Sequence, residues 1–132
     1  MADPHRLRFS TTHEWADIQD ESGQRVATIG ISAFALAQLT DLVHVELPPV
    51  GQSVAPGKPL GEIESVKAVS DVYSPVEGQV IAVNTDLAGN LEHMGDDPYG
   101  KSWIVKVRLA SEAGLDKLLD YDAYQAQCAS EG

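Results

Sequence analysis

The stretch GEIESVKAVSDVY, Gly61 to Tyr73, reads as two short strands folded onto each other about a tight turn. EIES runs in and AVSDV runs out. Val66 and Lys67 are the central residues, with Ser65 and Ala68 at the corners. Serine is favoured at the first corner of a type I turn. Lys67 is the one cation here: no other Lys or Arg lies within eight residues on either side, and Glu62, Glu64 and Asp71 flank it instead. A residue at a hairpin tip projects clear of the sheet, and lysine places an amine on a flexible four-carbon stem there. Two readings follow. Lys67 is a solvated turn charge, with acidic neighbours that contribute little energy, or it is an amine presented to the active site of another protein.

Outward from the hairpin, the chain is a succession of short strands broken by Gly and Pro. Leu42–Leu47 alternates and reads as a strand, stopped by Pro48, Pro49 and Gly51, with a further turn over Val54–Gly57. Pro75 breaks the chain after the hairpin, and Gly78–Asn84 is again a strand. Towards the N-terminus, Arg6–Ser10 and Glu14–Ile18 read as strands, then a turn over Asp20–Gln24, then the β-branched strand Val26–Ile31. Ser32 can cap a short helix over Ala33–Leu39. Beyond the hairpin, Thr85–Gly100 reads as a long loop with one helical turn, and Trp103–Leu109 as the last strand. Leu115, Leu118, Leu119 and Tyr124 lie at roughly helical spacing, which predicts a helical tail over about 111–128. Many short, punctuated strands with two small helices predict a compact β barrel or sandwich. The string PVGQSV, Pro49–Val54, echoes PVEGQV, Pro75–Val80, and Lys67 falls between the copies, which suggests a quasi-two-fold β structure.

The whole chain narrows the function. Its 132 residues suit one domain, 1–132, with a hairpin core over about 42–84. No apolar run approaches the roughly 20 residues of a membrane span. The start, MADPHRLRFS, lacks the apolar core of a secretory signal and is too short for a transit peptide, so a complete, cytoplasmic chain is expected. Twenty acids against nine bases leave a net charge of −11, which argues against nucleic acid and for partners with basic docking surfaces. The single cysteine, Cys128, excludes an internal disulfide and a protein dithiol, so any dithiol chemistry needs a cofactor. His5, His13, His44 and His93 have no partner at metal-ligand spacing, and His44 is expected to face solvent from its strand. Neither a nucleophile elbow nor a phosphate-binding glycine loop is present.

ESVKAVSD resembles the lipoylation motif of the glycine cleavage system H proteins. HEW (His13–Trp15), VATIGI (Val26–Ile31), VHVELP (Val43–Pro48), SVKAVSDVYSPVEGQVIAVN (Ser65–Asn84) and DPYG (Asp97–Gly100) resemble further family segments, in family order. The resemblance runs from about Leu7 to Tyr124. It implies a barrel-sandwich hybrid like the lipoyl and biotinyl domains, mainly β with small helices and a C-terminal helix. It implies lipoic acid joined by an amide to Lys67, rather than to Lys58, Lys101, Lys106 or Lys117. A biotin site would resemble Met-Lys-Met, whereas Val66 and Ala68 flank this lysine. The implied partners are a pyridoxal-phosphate glycine decarboxylase, a tetrahydrofolate-dependent aminomethyltransferase, an FAD-containing dihydrolipoyl dehydrogenase, and a lipoate ligase or lipoyltransferase. The implied role is that of a non-catalytic carrier of an aminomethyl group.

The resemblance also implies a cleft for the loaded arm, lined by Thr12, Glu14, Ile31, Leu39 and Asp71. Glu14 or Asp71 could hold a cationic amine, Thr12 could accept a hydrogen bond, and Ile31 and Leu39 could cover hydrocarbon. LEHMG, Leu91–Gly95, and Ser102, which stands where glycine usually precedes the tryptophan, depart from the family pattern. Three alternatives stay open: an H-like protein relaying lipoyl groups to other enzymes, a small enzyme using His13, Glu14 or Asp71 directly, and a purely structural interaction domain.

Overall fold

Strand alternation decides the core. In β2 (Glu14–Glu21) and β3 (Gln24–Ile31), paired antiparallel, Ala16, Ala27 and Ile29 point inward and are fully buried. On β6 (Pro59–Ser65) alternation buries Ile63 and Ser65, a register irregularity between Pro59 and Gly61 buries Leu60 as well, and β7 (Val69–Tyr73) buries Val72. The computed structural model describes residues 6–39, 41–89, 91, 99, 102–112 and 115–131. His5, His93, Lys101, LEHMG beyond Leu91 and DPYG apart from Tyr99 lie outside them.

Two sheets enclose this core in a barrel-sandwich arrangement. A six-stranded antiparallel sheet is built, in spatial order, from β1 (Arg8–Phe9), β2, β3, β9 (Val105–Ser111), β8 (Glu77–Val83) and β5 (Ser53–Val54). A three-stranded sheet orders β4 (Leu42–Glu46), β6 and β7. Residues of both sheets meet in one apolar cluster. The two echoed strings pair with each other: Ser53 lies opposite Gln79, its counterpart in the echo, and Gly51 and Val80 are joined by a 2.8 Å backbone bond.

α1 (Ala33–Leu39) starts where the sequence predicts, with Ser32 Oγ accepting the Ala35 N–H at 3.2 Å. Strand β2 runs to Glu21, three residues beyond its expected end, because the Ser22–Gly23 turn closes β2 and β3 into a continuous hairpin. Gly30 sits opposite Trp15, whose ring lies so close that a Cβ there would come within 2.5 Å of it. In the 85–100 stretch a 3-10 turn spans Thr85–Gly89.

The C-terminal tail departs from the sequence reading. β9 begins at Val105, not Trp103, and continues through Ser111, which pairs with Glu77. A 3-10 turn follows at Leu115–Lys117, and Leu119 then forms a β-bridge with Phe9 through bonds of 2.8 and 2.7 Å. Among the described residues of the tail, α2 (Tyr121–Glu131) alone is α-helical, capped by Asp120 through the Ala123 N–H at 2.8 Å. The unpaired edge of β1 takes up the backbone groups of Leu119, which overrides helix propensity over the first half of the tail. A second apolar cluster of Leu7, Phe9, Trp15, Tyr124 and Cys128 holds α2 against the sheet.

Candidate functional site

The β6–β7 hairpin presents Lys67 as the sequence implies, but by side-chain bonding. Ser65 N–H donates to the Ala68 carbonyl at 2.8 Å. The buried Ser65 hydroxyl accepts the Lys67 and Ala68 N–H groups at 3.3 and 3.1 Å. Val66 N–H donates to the Asp41 carbonyl at 3.1 Å, bracing the tip against the start of β4. Neither Val66 nor Lys67 has a positive φ, so this is not the mirror-image turn usual in two-residue hairpins. The Lys67 side chain is exposed, and among the described residues it forms no ion pair. Glu62, Glu64 and Asp71 are therefore not its counter-ions.

The hairpin is also one wall of a cleft of about 220 Å³. Ile63, Ser70, Asp71 and Val72 line it from β6 and β7. Ser70 and Asp71 lie three and four residues beyond Lys67, about 10–13 Å at strand rise. The facing wall is built from Thr12, His13, Glu14 and Ile31, and from Phe34, Ala35, Gln38 and Leu39 of α1. All five residues named for a cleft, Thr12, Glu14, Ile31, Leu39 and Asp71, thus line one cavity. Thr12 and Asp71 are exposed at its rim, Leu39 is half-buried, and Ile31 belongs to both cleft and core. His13, Phe34, Ala35, Gln38, Ile63, Ser70 and Val72 were not anticipated as lining. Phe34, Ala35 and Gln38 share the face of Leu39 at helical spacing, which is the signal that could have found them.

Glu14 is the buried charge of the cleft, 3% exposed. Its Oε1 accepts hydrogen bonds from the Ser10 hydroxyl at 2.8 Å and from the Thr12 hydroxyl, and its Oε2 accepts the Tyr73 N–H at 3.2 Å. Burial raises its pKa, opposed first by the Thr12 and Ser10 hydroxyls. A carboxylate offers about four lone-pair positions, so Oε2 retains one for a cationic donor entering the cleft. The Thr12 hydroxyl donates to Glu14, and its oxygen keeps lone pairs with which it can accept. The opposite carboxylate, Asp71, meets the Tyr73 hydroxyl at 3.5 Å. His44 is exposed on β4, and among the described residues no group of His, Cys, Asp and Glu could hold a metal ion.

Residues 7–131 match the family model described as glycine cleavage H-protein. The glycine cleavage system H protein of Rhodopirellula baltica is 52% identical over 130 residues, 98% of each chain. That of Thermotoga maritima is 44% identical over 124 residues, 94% of this chain and 97% of the relative. The crystal structure of a glycine cleavage system H protein from Mycobacterium marinum superimposes with a TM-score of 0.86 at 34% identity, covering 96% of this chain and 99% of that one. A match along nearly the whole length, joined to a shared fold, shows that this chain belongs to the glycine cleavage H-protein family.

Proposed function

We propose that this chain is the lipoyl carrier of glycine cleavage, with lipoic acid amide-linked to Lys67. The observation that carries the reading is the exposed Lys67 amine at the tip of the same hairpin whose strands wall the cleft. The residues present suit such an arm. Ile31, Leu39 and Val72 offer an apolar lining for its hydrocarbon, and Glu14 offers a buried anion for the amine it would carry. When attached, lipoate supplies the dithiolane that takes up an aminomethyl group from a pyridoxal-phosphate decarboxylase, yields it to a tetrahydrofolate-dependent aminomethyltransferase and is reoxidised by an FAD-containing dihydrolipoyl dehydrogenase. A ligase or lipoyltransferase must first form the amide.

The contribution of the chain is presentation and shelter. The Ser65 bonds fix the turn, so that the lysine stem starts clear of the sheet. Glu14 and the apolar cleft hold the carried amine away from water, where its electrostatic bond is stronger than in solvent. Nothing in this role requires the chain to catalyse a step. The reading places it in the bacterial cytoplasm. Among the described residues, no helix is long and apolar enough to cross a membrane.

Peptide mapping of protein from its native cells, grown with lipoate, tests the assignment. Lipoate is expected on Lys67 alone. Lys67→Arg should fold normally, stay unmodified and lose all carrier activity, because a guanidinium is not a substrate for that amide. Lipoate on another lysine, or none on Lys67, would overturn the reading.

A further inference from the structure

The C-terminal helix lines none of the cleft, yet it reaches both halves of the cleft wall opposite the hairpin. His13 stands between Thr12 and Glu14 with φ at 78°, in the left-handed region that costs a non-glycine residue of order 1 kcal/mol or more. Such a conformation persists where the surroundings over-determine it. Here the surroundings are α2 and α1. The His13 Nε2 meets Glu131 Oε1 at 3.0 Å, its Nδ1 meets the Tyr124 hydroxyl at 2.6 Å, and its ring stacks on Phe34 at 5.2 Å between centroids. The Tyr124 hydroxyl in turn meets Ser32 Oγ at 2.5 Å, and Ser32 is the residue that caps α1.

The donors and acceptors form one directed chain. Ionised Glu131 only accepts, so a neutral imidazole would carry its proton on Nε2 and accept at Nδ1 from the Tyr124 O–H. Ser32 O–H then donates to the Tyr124 oxygen, while Ser32 Oγ accepts the Ala35 N–H. Burial raises the Tyr124 pKa, which keeps the phenol protonated as a donor. Backbone bonds close the loop: Ser32 N–H donates to the His13 carbonyl at 2.9 Å. Gln127, one turn along α2, donates to the Thr11 carbonyl at 2.9 Å.

We propose that Tyr124 and His13 are positioning residues of a strap by which the C-terminal helix pins the 10–14 loop and α1, and so sets the cleft wall opposite the hairpin. That this wall shelters a lipoyl arm rests on the function proposed above. The strap itself does not, and it can be tested without lipoate.

Hydrogen exchange on the unmodified protein is the test, comparing wild type with Tyr124→Phe. The substitution keeps the ring that stacks on Phe9 at 4.4 Å and removes only the hydroxyl. Losing a buried hydrogen-bonded group should make local opening about tenfold more frequent, equivalent to about 1.4 kcal/mol. The amides of His13, Glu14, Ser32, Ala35 and Leu36 should therefore exchange about tenfold faster relative to those of β3 and β9. His13→Asn, which tolerates a positive φ but cannot reach α2, should open the same amides. Unchanged exchange at these sites, or an equal rise across β3 and β9, would overturn the strap. The lifetime of the aminomethyl group on lipoylated Tyr124→Phe separates the two ideas. Faster local exchange with an unchanged lifetime upholds the strap and removes the cleft as the arm's shelter.

Discussion

At the scale of one residue, Glu14 is the buried carboxylate lining the cleft. Its side chain is buried, and its pKa is raised chiefly by the loss of water around the carboxylate. The folded protein therefore takes up this proton more readily than the unfolded chain. The contribution of Glu14 to stability is full below the ordinary carboxylate range and is lost as pH rises through the raised folded value. Glu14→Gln should remove that dependence. In urea unfolding across this range, the stability of the variant relative to wild type should climb with pH. A difference independent of pH would mean that Glu14 titrates as it does in the unfolded chain. On the loaded carrier, the same change should speed loss of the aminomethyl group, since a neutral amide holds a cationic amine less well.

The hairpin is the element that presents Lys67, the attachment point proposed for lipoate, and Ser65 is what shapes it. A two-residue connection without positive φ fits the strand twist poorly, so the turn relies on a side chain to gather its N–H groups. Ser65→Ala removes the acceptor for two of them and the hydroxyl bond to the Ala68 carbonyl at 3.2 Å. We expect a loss of about 1 kcal/mol in urea unfolding. The larger effect should fall on lipoate attachment, slowed several-fold although Lys67 is untouched, because the backbone that presents its stem is no longer held in one conformation. Attachment at the wild-type rate would show that the modifying enzyme needs only an exposed lysine in an acidic setting.

Across the whole molecule the net charge is −11, and part of it is arranged at a cost. On the outer face of the three-stranded sheet, Glu46 lies opposite Glu62, and Glu62 opposite Asp71, a row of like charges that disfavours folding. A carrier that visits several enzymes needs fast, brief encounters, and this row beside Lys67 suits attraction to basic surfaces. The apparent Michaelis constant of a partner enzyme for this protein should rise clearly with salt, while the maximal rate changes little. Screening acts over about 8 Å at physiological ionic strength. Replacing Glu62 and Glu64 with lysine should raise the constant further and flatten its salt dependence. A constant indifferent to salt would mean that docking is apolar.

What the sequence by itself determined is local. The strands β2, β3 and β4, the hairpin around Lys67, the Ser32 cap and the exposed lysine all depend on residues within a few positions of one another, where side-chain pattern and turn chemistry act directly. The resemblance at ESVKAVSD extended that reading to function. What only the tertiary structure decided lies far apart along the chain. His13 meets Tyr124 across 111 residues, and Glu14 meets the Tyr73 N–H across 59. No spacing rule announces either pair. The tail shows the same division. Its apolar residues suggest one helix, yet Leu119 pairs with the open edge of β1, where its backbone N–H and C=O are satisfied by Phe9 and not by a helical turn. Long-range hydrogen bonding and burial exist only once the sheets have closed, and they turn residues individually visible in the sequence into a cleft.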